Sequence, residues 1–230
     1  MKFSVTAIVL TGMCASVLAG TITGNVSAKG KVDAENNSAA GGAYGNRKYK
    51  FVEKVDYPAM HDFVVYIEGS FGTNNAPTNS AQVATTRIAQ EGAMFTPHVL
   101  PIMVGTTVEW PNNDTIYHNV FSMSDAKQFD LGLYKGNPTS KFVVFDKPGR
   151  VDVFCSIHSN MHCIVLVLEN PYFAATDENG DFKIPDVPPG KYKLKAWHER
   201  LPTEEKEIIV PANGEVKVDF TLSIKNLPQY

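Results

Sequence analysis

Short apolar segments rich in Val, Ile, Phe and Tyr recur along the chain between Pro- and Gly-containing breaks. No stretch keeps the three-to-four-residue apolar spacing of an amphipathic helix. The pattern predicts an all-β chain with a sandwich architecture. Strands are expected at Thr21-Ile22-Thr23-Gly24-Asn25-Val26, at Phe63-Val64-Val65-Tyr66-Ile67-Glu68-Gly69 and at Val151-Asp152-Val153-Phe154. Ile164-Val165-Leu166-Val167-Leu168 is apolar at every position, where a strand with one wet face would alternate. Its second face is expected to be covered, either by a companion module or by the stretch from Gly69 to Ala84. That stretch, with Asn74-Asn75-Ala76-Pro77-Thr78-Asn79-Ser80, and a similar one from Lys31 to Tyr49 read as linkers or surface loops. After Leu168, the segment from Ala174 to Ile184 reads as two strands joined by the Asn179-Gly180 turn. A Pro188-Pro189-Gly190 loop then feeds an alternating strand through Leu194, and two further strands are expected at Glu207 to Val210 and Glu215 to Leu222.

The richest chemistry lies in Cys155-Ser156-Ile157-His158-Ser159-Asn160-Met161, where a thiol, an imidazole and a thioether recur every third residue directly after a strand. His118 lies upstream in Tyr117-His118-Asn119-Val120. Two His, one Cys and an axial Met form the ligand set of a blue-copper electron-transfer centre. Soft thiolate and thioether suit Cu(I), and imidazole binds both oxidation states, so one electron can come and go with little ligand movement. Cys155 would end a strand and His158 and Met161 would sit on the next loop, with His118 closing the site from a distant strand. The alternative for the same residues is a buried free Cys with a core Met and surface His.

From about Val83 to Leu168 the chain resembles the cupredoxins, in particular plastocyanin and amicyanin. The resemblance is carried by Phe95-Thr96-Pro97, Val104-Gly105-Thr106-Thr107-Val108-Glu109-Trp110, Asn112-Asn113-Asp114, His118-Asn119-Val120-Phe121-Ser122 and Pro148-Gly149-Arg150-Val151. The two-residue gap between His158 and Met161 is closer to amicyanin than to plastocyanin. The resemblance implies a Greek-key sandwich over residues 80–168 holding one type 1 copper ion through His118, Cys155, His158 and Met161. It also implies that Asn119 hydrogen-bonds toward Ser156 and ties the two ligand loops together, and it makes Phe121, Phe145 and Phe154 candidates for the apolar shell. A Gly usually follows the Met closely in those families, whereas His162-Cys163 follows here.

The turn, strand and Pro-Pro-Gly-x-Tyr sequence after Leu168 resembles the carboxypeptidase regulatory-like, transthyretin-like β-sandwich. That fold opens with Gly-containing strands of the kind at Thr21–Val26 and Phe63–Gly69. A discontinuous smaller module, residues 20–70 and 169–230, is therefore expected, with the copper domain inserted in it. Chains so organised resemble cupredoxin-domain proteins called methylamine utilization proteins, which implies a redox partner such as a cytochrome or a dehydrogenase.

Lys2, the apolar run from Val5 to Leu18 and the closing triplet Val17-Leu18-Ala19, with small residues at both its ends, have the layout of a secretory signal peptide over residues 1–19. The run is short for a membrane span, and Met13 before Cys14 is too large for a lipoprotein cleavage box. An exported chain without a membrane span, most plausibly periplasmic, is expected. Removing Lys2 leaves 20 basic against 24 acidic residues, a net charge of −4, and no basic run suggests nucleic acid. Cys155 and Cys163 then remain. In an exported protein a disulfide between them competes with copper; strand alternation offers Cys163 as a core residue on the face of Met161, Val165 and Val167.

Asp177-Glu178-Asn179-Gly180-Asp181 lacks the ligand alternation and terminal Glu of a calcium loop and reads as a turn. His61, His98 and His198 are expected at the surface, and His162 to point away from any metal held by Met161. No third His stands at ligand spacing, so catalysis on a substrate is not expected. Two other function classes fit the same residues: copper storage or delivery, and a structural β-sandwich protein with a vestigial metal site.

Overall fold

Gly20, Ile22, Gly24, Val26 and Ala28 are buried while the residues between them are not, so the first strand is buried on one face only. The computed structural model describes residues 19–30, 55–70, 85–136 and 140–224. The signal-like segment and the two expected linkers lie outside or largely outside these residues. Along the chain run β1 (Gly20–Lys29), β2 (Val64–Ile67), β3 (Thr85–Arg87), β4 (Ala89–Glu91), β5 (Met94–Thr96), β6 (Val99–Met103), β7 (Thr107–Pro111), β8 (Tyr117–Ser124) and β9 (Lys127–Lys135). They are followed by β10 (Ser140–Val144), β11 (Gly149–Phe154), β12 (His162–Leu168), β13 (Phe173–Ala175), β14 (Asp181–Val187), β15 (Gly190–His198), β16 (Leu201–Val210), β17 (Gly214–Lys217) and β18 (Phe220–Ser223). Among the described residues the only helical element is a 3-10 turn at Tyr57–Ala59, so the fold is all-β.

Two sandwiches form. In one, a sheet ordered β10-β7-β3 faces a sheet ordered β6-β12-β11-β8-β9. Val108, Trp110 and Val143 of the first sheet share a core with Ile102, Val120, Val151, Val153, Val165 and Val167 of the second. In the other, β1 pairs with β14, β17 and β18, and the facing sheet runs β13-β2-β15-β16. Its core joins Ile22, Phe182, Ile184, Phe220 and Leu222 to Val65, Ile67, Leu194, Ala196 and Ile208.

β1 serves two parallel partners in succession: Gly20–Thr23 pair with β17 and Val26–Lys29 with β18. Gly24 sits at the changeover, where an added Cβ would lie 1.9 Å from the Val218 carbonyl oxygen. Only a residue without a side chain lets the crossing segment come that close. The stretch from Glu215 to Leu222, expected as one strand, is accordingly split into β17 and β18.

The segment from Ala174 to Ile184 is not a hairpin, contrary to the sequence expectation. β13 pairs with β2 and β14 with β1, so the Asp177–Asp181 turn carries the chain from one sheet to the facing one. The turn is closed by the Gly180 N–H on the Asp177 carbonyl (3.0 Å), and the Gly180 carbonyl accepts from the Val26 N–H (2.8 Å). Across the turn itself the Asp177 N–H reaches the Asp181 carbonyl (2.9 Å), and the rest of β14 pairs with β1.

Strand β12 is buried on both faces. Cys163, Val165 and Val167 point into the core of their own sandwich, and Ile164, Leu166 and Leu168 pack with Val99 against Val64, Tyr66, Phe173 and Trp197 of the other. The companion sandwich is thus what covers the second face of this all-apolar strand.

Candidate metal centre

The loop after β11 is drawn closed by two backbone bonds: the Met161 N–H donates to the His158 carbonyl (3.0 Å) and the Cys155 N–H to the Met161 carbonyl (3.2 Å). This turn carries His158 back over Cys155, placing Cys155 Sγ 3.7 Å from His158 Nδ1. His118, on β8, meets them from the adjacent strand, its Nδ1 3.0 Å from His158 Nδ1. The three ligand atoms all lie within 4.8 Å of one another. His118 is fully buried, Cys155 is 7% exposed and His158 is half-buried. Met161 is 1% exposed and packs in the same cluster as Cys155.

Asp114 orients His118. Its Oδ2 lies 2.7 Å from His118 Nε2, while the N–H groups of Gly92 and Ala93 donate to its two oxygens at 2.8 and 2.9 Å. Burial works to raise the Asp114 carboxyl. The Ala93 N–H, the His118 ring and the Gly92 N–H outweigh it and hold the group below its ordinary value. An ionised carboxylate only accepts, so Nε2 carries a proton toward Asp114, and in a neutral ring the lone pair falls on Nδ1, which faces His158. Sequence reasoning quoted Asp114 but gave it no role. Its position four residues before His118 was the available signal.

The partner of Asn119 differs from the expectation. Its side-chain amide donates to Asp130 Oδ1 (2.7 Å), not to Ser156, which is exposed on the outside of the loop. The Asn119 backbone N–H instead donates to Cys155 Sγ at 3.4 Å, so the strand bearing His118 is tied to the thiol directly. Asp130 is anchored in turn by the Gly132 N–H (2.7 Å).

Cys155 and Cys163 are both free. Burial, with the charge of Asp152 adding to it, pushes the Cys163 thiol well above its ordinary range, which makes it a core residue and a poor ligand. Of the three aromatic rings expected around the site, Phe145 is fully buried, whereas Phe154 is 40% exposed and stacks on His162.

Of the histidines expected at the surface, one is buried and one is only partly exposed. His198 is 6% exposed against Phe63, its ring centroid 5.0 Å away, and burial lowers its pKa against the opposing pull of Glu199 and Asp62. His98 is half-buried with Glu199 as partner, because the companion sandwich closes over it.

The donor set fits copper. A metal ion makes bonds of about 2.0–2.3 Å to nitrogen and sulfur, so two ligand atoms on one ion lie no more than roughly 4 Å apart. The 3.0 and 3.7 Å separations meet that condition, and thiol with imidazole is the soft-plus-borderline set that copper favours.

Residues 165–223 match the family model of the carboxypeptidase regulatory-like domain. Among solved structures the chain is similar to a Cu-containing nitrite reductase from Thermus scotoductus SA-01, at 30% identity and a TM-score of 0.35, over 37% of this chain and 23% of that one. It is also similar to a purple cupredoxin from Nitrosopumilus maritimus (26% identity, TM-score 0.32, 36% of this chain and 98% of that one). Amicyanin from Paracoccus versutus matches at 18% identity and a TM-score of 0.33, over 45% of this chain and 96% of that one.

Proposed function

We propose that this protein is an exported type 1 copper protein that carries single electrons between redox partners. The observation that carries the reading is the convergence of His118 Nδ1, His158 Nδ1 and Cys155 Sγ on one point, with His118 Nε2 fixed by Asp114. Copper, when bound, supplies the one-electron couple.

The chain's own residues do the rest. Cys155, as thiolate, and His118 and His158 would be the principal ligands holding the ion, and the Met161 thioether would be its weaker fourth donor, a soft-plus-borderline set suited to a one-electron copper couple. Asp114 holds the His118 ring in one tautomer, and the Asn119 N–H, donating to the sulfur, stabilises its negative charge. His158 is the more exposed of the two rings and offers the electron its way in and out. Ile116, Tyr117 and Ile157, chain neighbours of the ligands, are each about half exposed and frame an apolar docking surface for a cytochrome or dehydrogenase in the periplasm.

The test is the visible spectrum of the purified chain with Cu(II). An intense thiolate band that bleaches reversibly on reduction, and is lost in Cys155→Ser, supports the electron carrier. A tight colourless Cu(I) complex replaces it with copper storage or delivery, and no copper uptake replaces it with a structural role.

A further inference from the structure

Where the two sandwiches meet, a second group of ligand atoms assembles. His98 precedes β6, His162 opens β12, and Glu199 lies in the turn between β15 and β16 of the companion sandwich. One ligand atom from each lies within 4.8 Å of the other two. His98 Nε2 is 3.0 Å from Glu199 Oε1, and His98 Nδ1 is 3.2 Å from the His162 carbonyl oxygen. His162 Nε2 is 3.0 Å from Asp152 Oδ1, and Asp152 is also gripped by both nitrogens of a fork from Arg150 (2.8 and 2.7 Å).

The tautomers follow from what each neighbour can do. A carbonyl oxygen only accepts, so the His98 Nδ1 carries the proton and, in a neutral ring, Nε2 turns a lone pair toward a carboxylate. Two acceptors at 3.0 Å repel unless a proton or a metal cation stands between them. His162 shows the same arrangement: its Nε2 lies against Asp152, so that in a neutral ring Nδ1 has the lone pair. An imidazole whose far N–H is anchored by a carboxylate or carbonyl is the arrangement of a metal-binding His, and it is also that of His118 with Asp114. Arg150 and Asp152 neutralise one another, so Glu199 leaves the group with one negative charge to offer a cation.

We propose that His98, His162 and Glu199 form a second metal site that binds a divalent transition ion and pins the two sandwiches together. Two imidazoles and one carboxylate, with no sulfur, are an N/O set suited to Zn(II) or Cu(II) and not to Cu(I). Atoms about 2.0–2.2 Å from a common ion lie on the order of 3 Å apart, which the His98–Glu199 separation matches. All three residues are partly exposed, so an ion can enter. The site is independent of the copper reading but lies next to it in sequence, since His162 follows Met161 directly.

The test uses the full mature chain carrying one equivalent of Cu(II), titrated with Zn(II) by calorimetry and checked by elemental analysis after desalting. The wild type is expected to take one further equivalent. E199Q, whose amide N–H can donate to His98 Nε2 while removing the anionic ligand, and H98A are each expected to weaken zinc binding at least about a hundredfold, since even outer partners of a metal ligand are worth 10–100-fold. Both should keep the first equivalent of copper. Absence of the second equivalent in the wild type, its survival in either variant, or its loss in Cys155→Ser overturns the proposal. A chain that takes no copper yet still binds zinc through Glu199 and His98 sinks the electron-carrier reading and leaves this site standing.

Discussion

The Nδ1 atoms of His118 and His158 lie 3.0 Å apart across 40 residues of chain. The first is fixed by a carboxylate at its far nitrogen, and the second is carried in by a turn closed through the Met161 backbone. One ring is therefore held before any ion arrives, and the other rides on a short loop.

This makes Asp114 the residue whose loss should be felt without touching a ligand. Asp114→Asn is expected to lower copper affinity about 10–100-fold while leaving the fold intact. Competition against a chelator of known strength measures it. Unchanged affinity would mean that His118 needs no anchor.

Met161 can be separated into packing and ligation. Met161→Leu preserves volume and should cost under about 1.5 kcal/mol in urea unfolding. Met161→Ala opens a cavity at a fully buried position and should cost about 2–5 kcal/mol. With copper bound, the Leu variant is expected to change the reduction potential. An unchanged potential removes the thioether from the ligand set.

The contact between the sandwiches rests on the outward face of β12. Leu166 packs there with Ile164 and Leu168 against Val64 and Trp197, and the Arg150 guanidinium lies 5.8 Å from the Trp197 ring centre. Leu166→Ala should cost about 2–5 kcal/mol and uncouple the two sandwiches. Calorimetry of the variant is expected to resolve two transitions where the wild type shows one; a single transition at lowered temperature would argue that the cores remain coupled by other means.

Gly24→Ala places a methyl group against the Val218 carbonyl, whose backbone cannot yield as a side chain does. Destabilisation of about 1–3 kcal/mol or more is expected from overpacking. Hydrogen exchange should show it at β17 and β18, with β8 and β11 unaffected.

Asp130 brings pH dependence. The Gly132 N–H and the Asn119 amide, with Lys141 adding a charge, hold its carboxyl below the ordinary 3.8. A depressed folded-state pKa contributes stability above the unfolded value and loses it as the pH falls through the folded one. Stability is thus expected to decline below about pH 3.9, with Asp130→Asn removing that part of the acid dependence. Identical acid profiles for the two proteins would exclude Asp130 as the source.

Much of this was written in local order. Alternating burial in β1, the uninterrupted apolar run of β12 and the Cys155-His158-Met161 spacing all lie within one strand or loop, where covalent distance alone limits which residues can meet. The two-sided burial of β12 was readable because five consecutive apolar residues have only one physical use. Its cover was legible only as one of two candidates, the companion module or the stretch from Gly69 to Ala84, since Val64 and Trp197 stand about a hundred residues before and some thirty after it in the chain.

What local order could not convey was the choice among distant partners. The Asn179-Gly180 turn has hairpin chemistry, yet β14 gains more from β1, which offers it a full edge and a shared core, than from the short β13. Asn119 faces Asp130 because β8 pairs with β9, not because of any neighbour in its own loop. His98 and Glu199, 101 residues apart, become partners only when one sandwich closes on the other. Periodicity reports which face of a segment turns inward; which segment lies opposite depends on how every face packs at once, and that sum exists only in the folded chain.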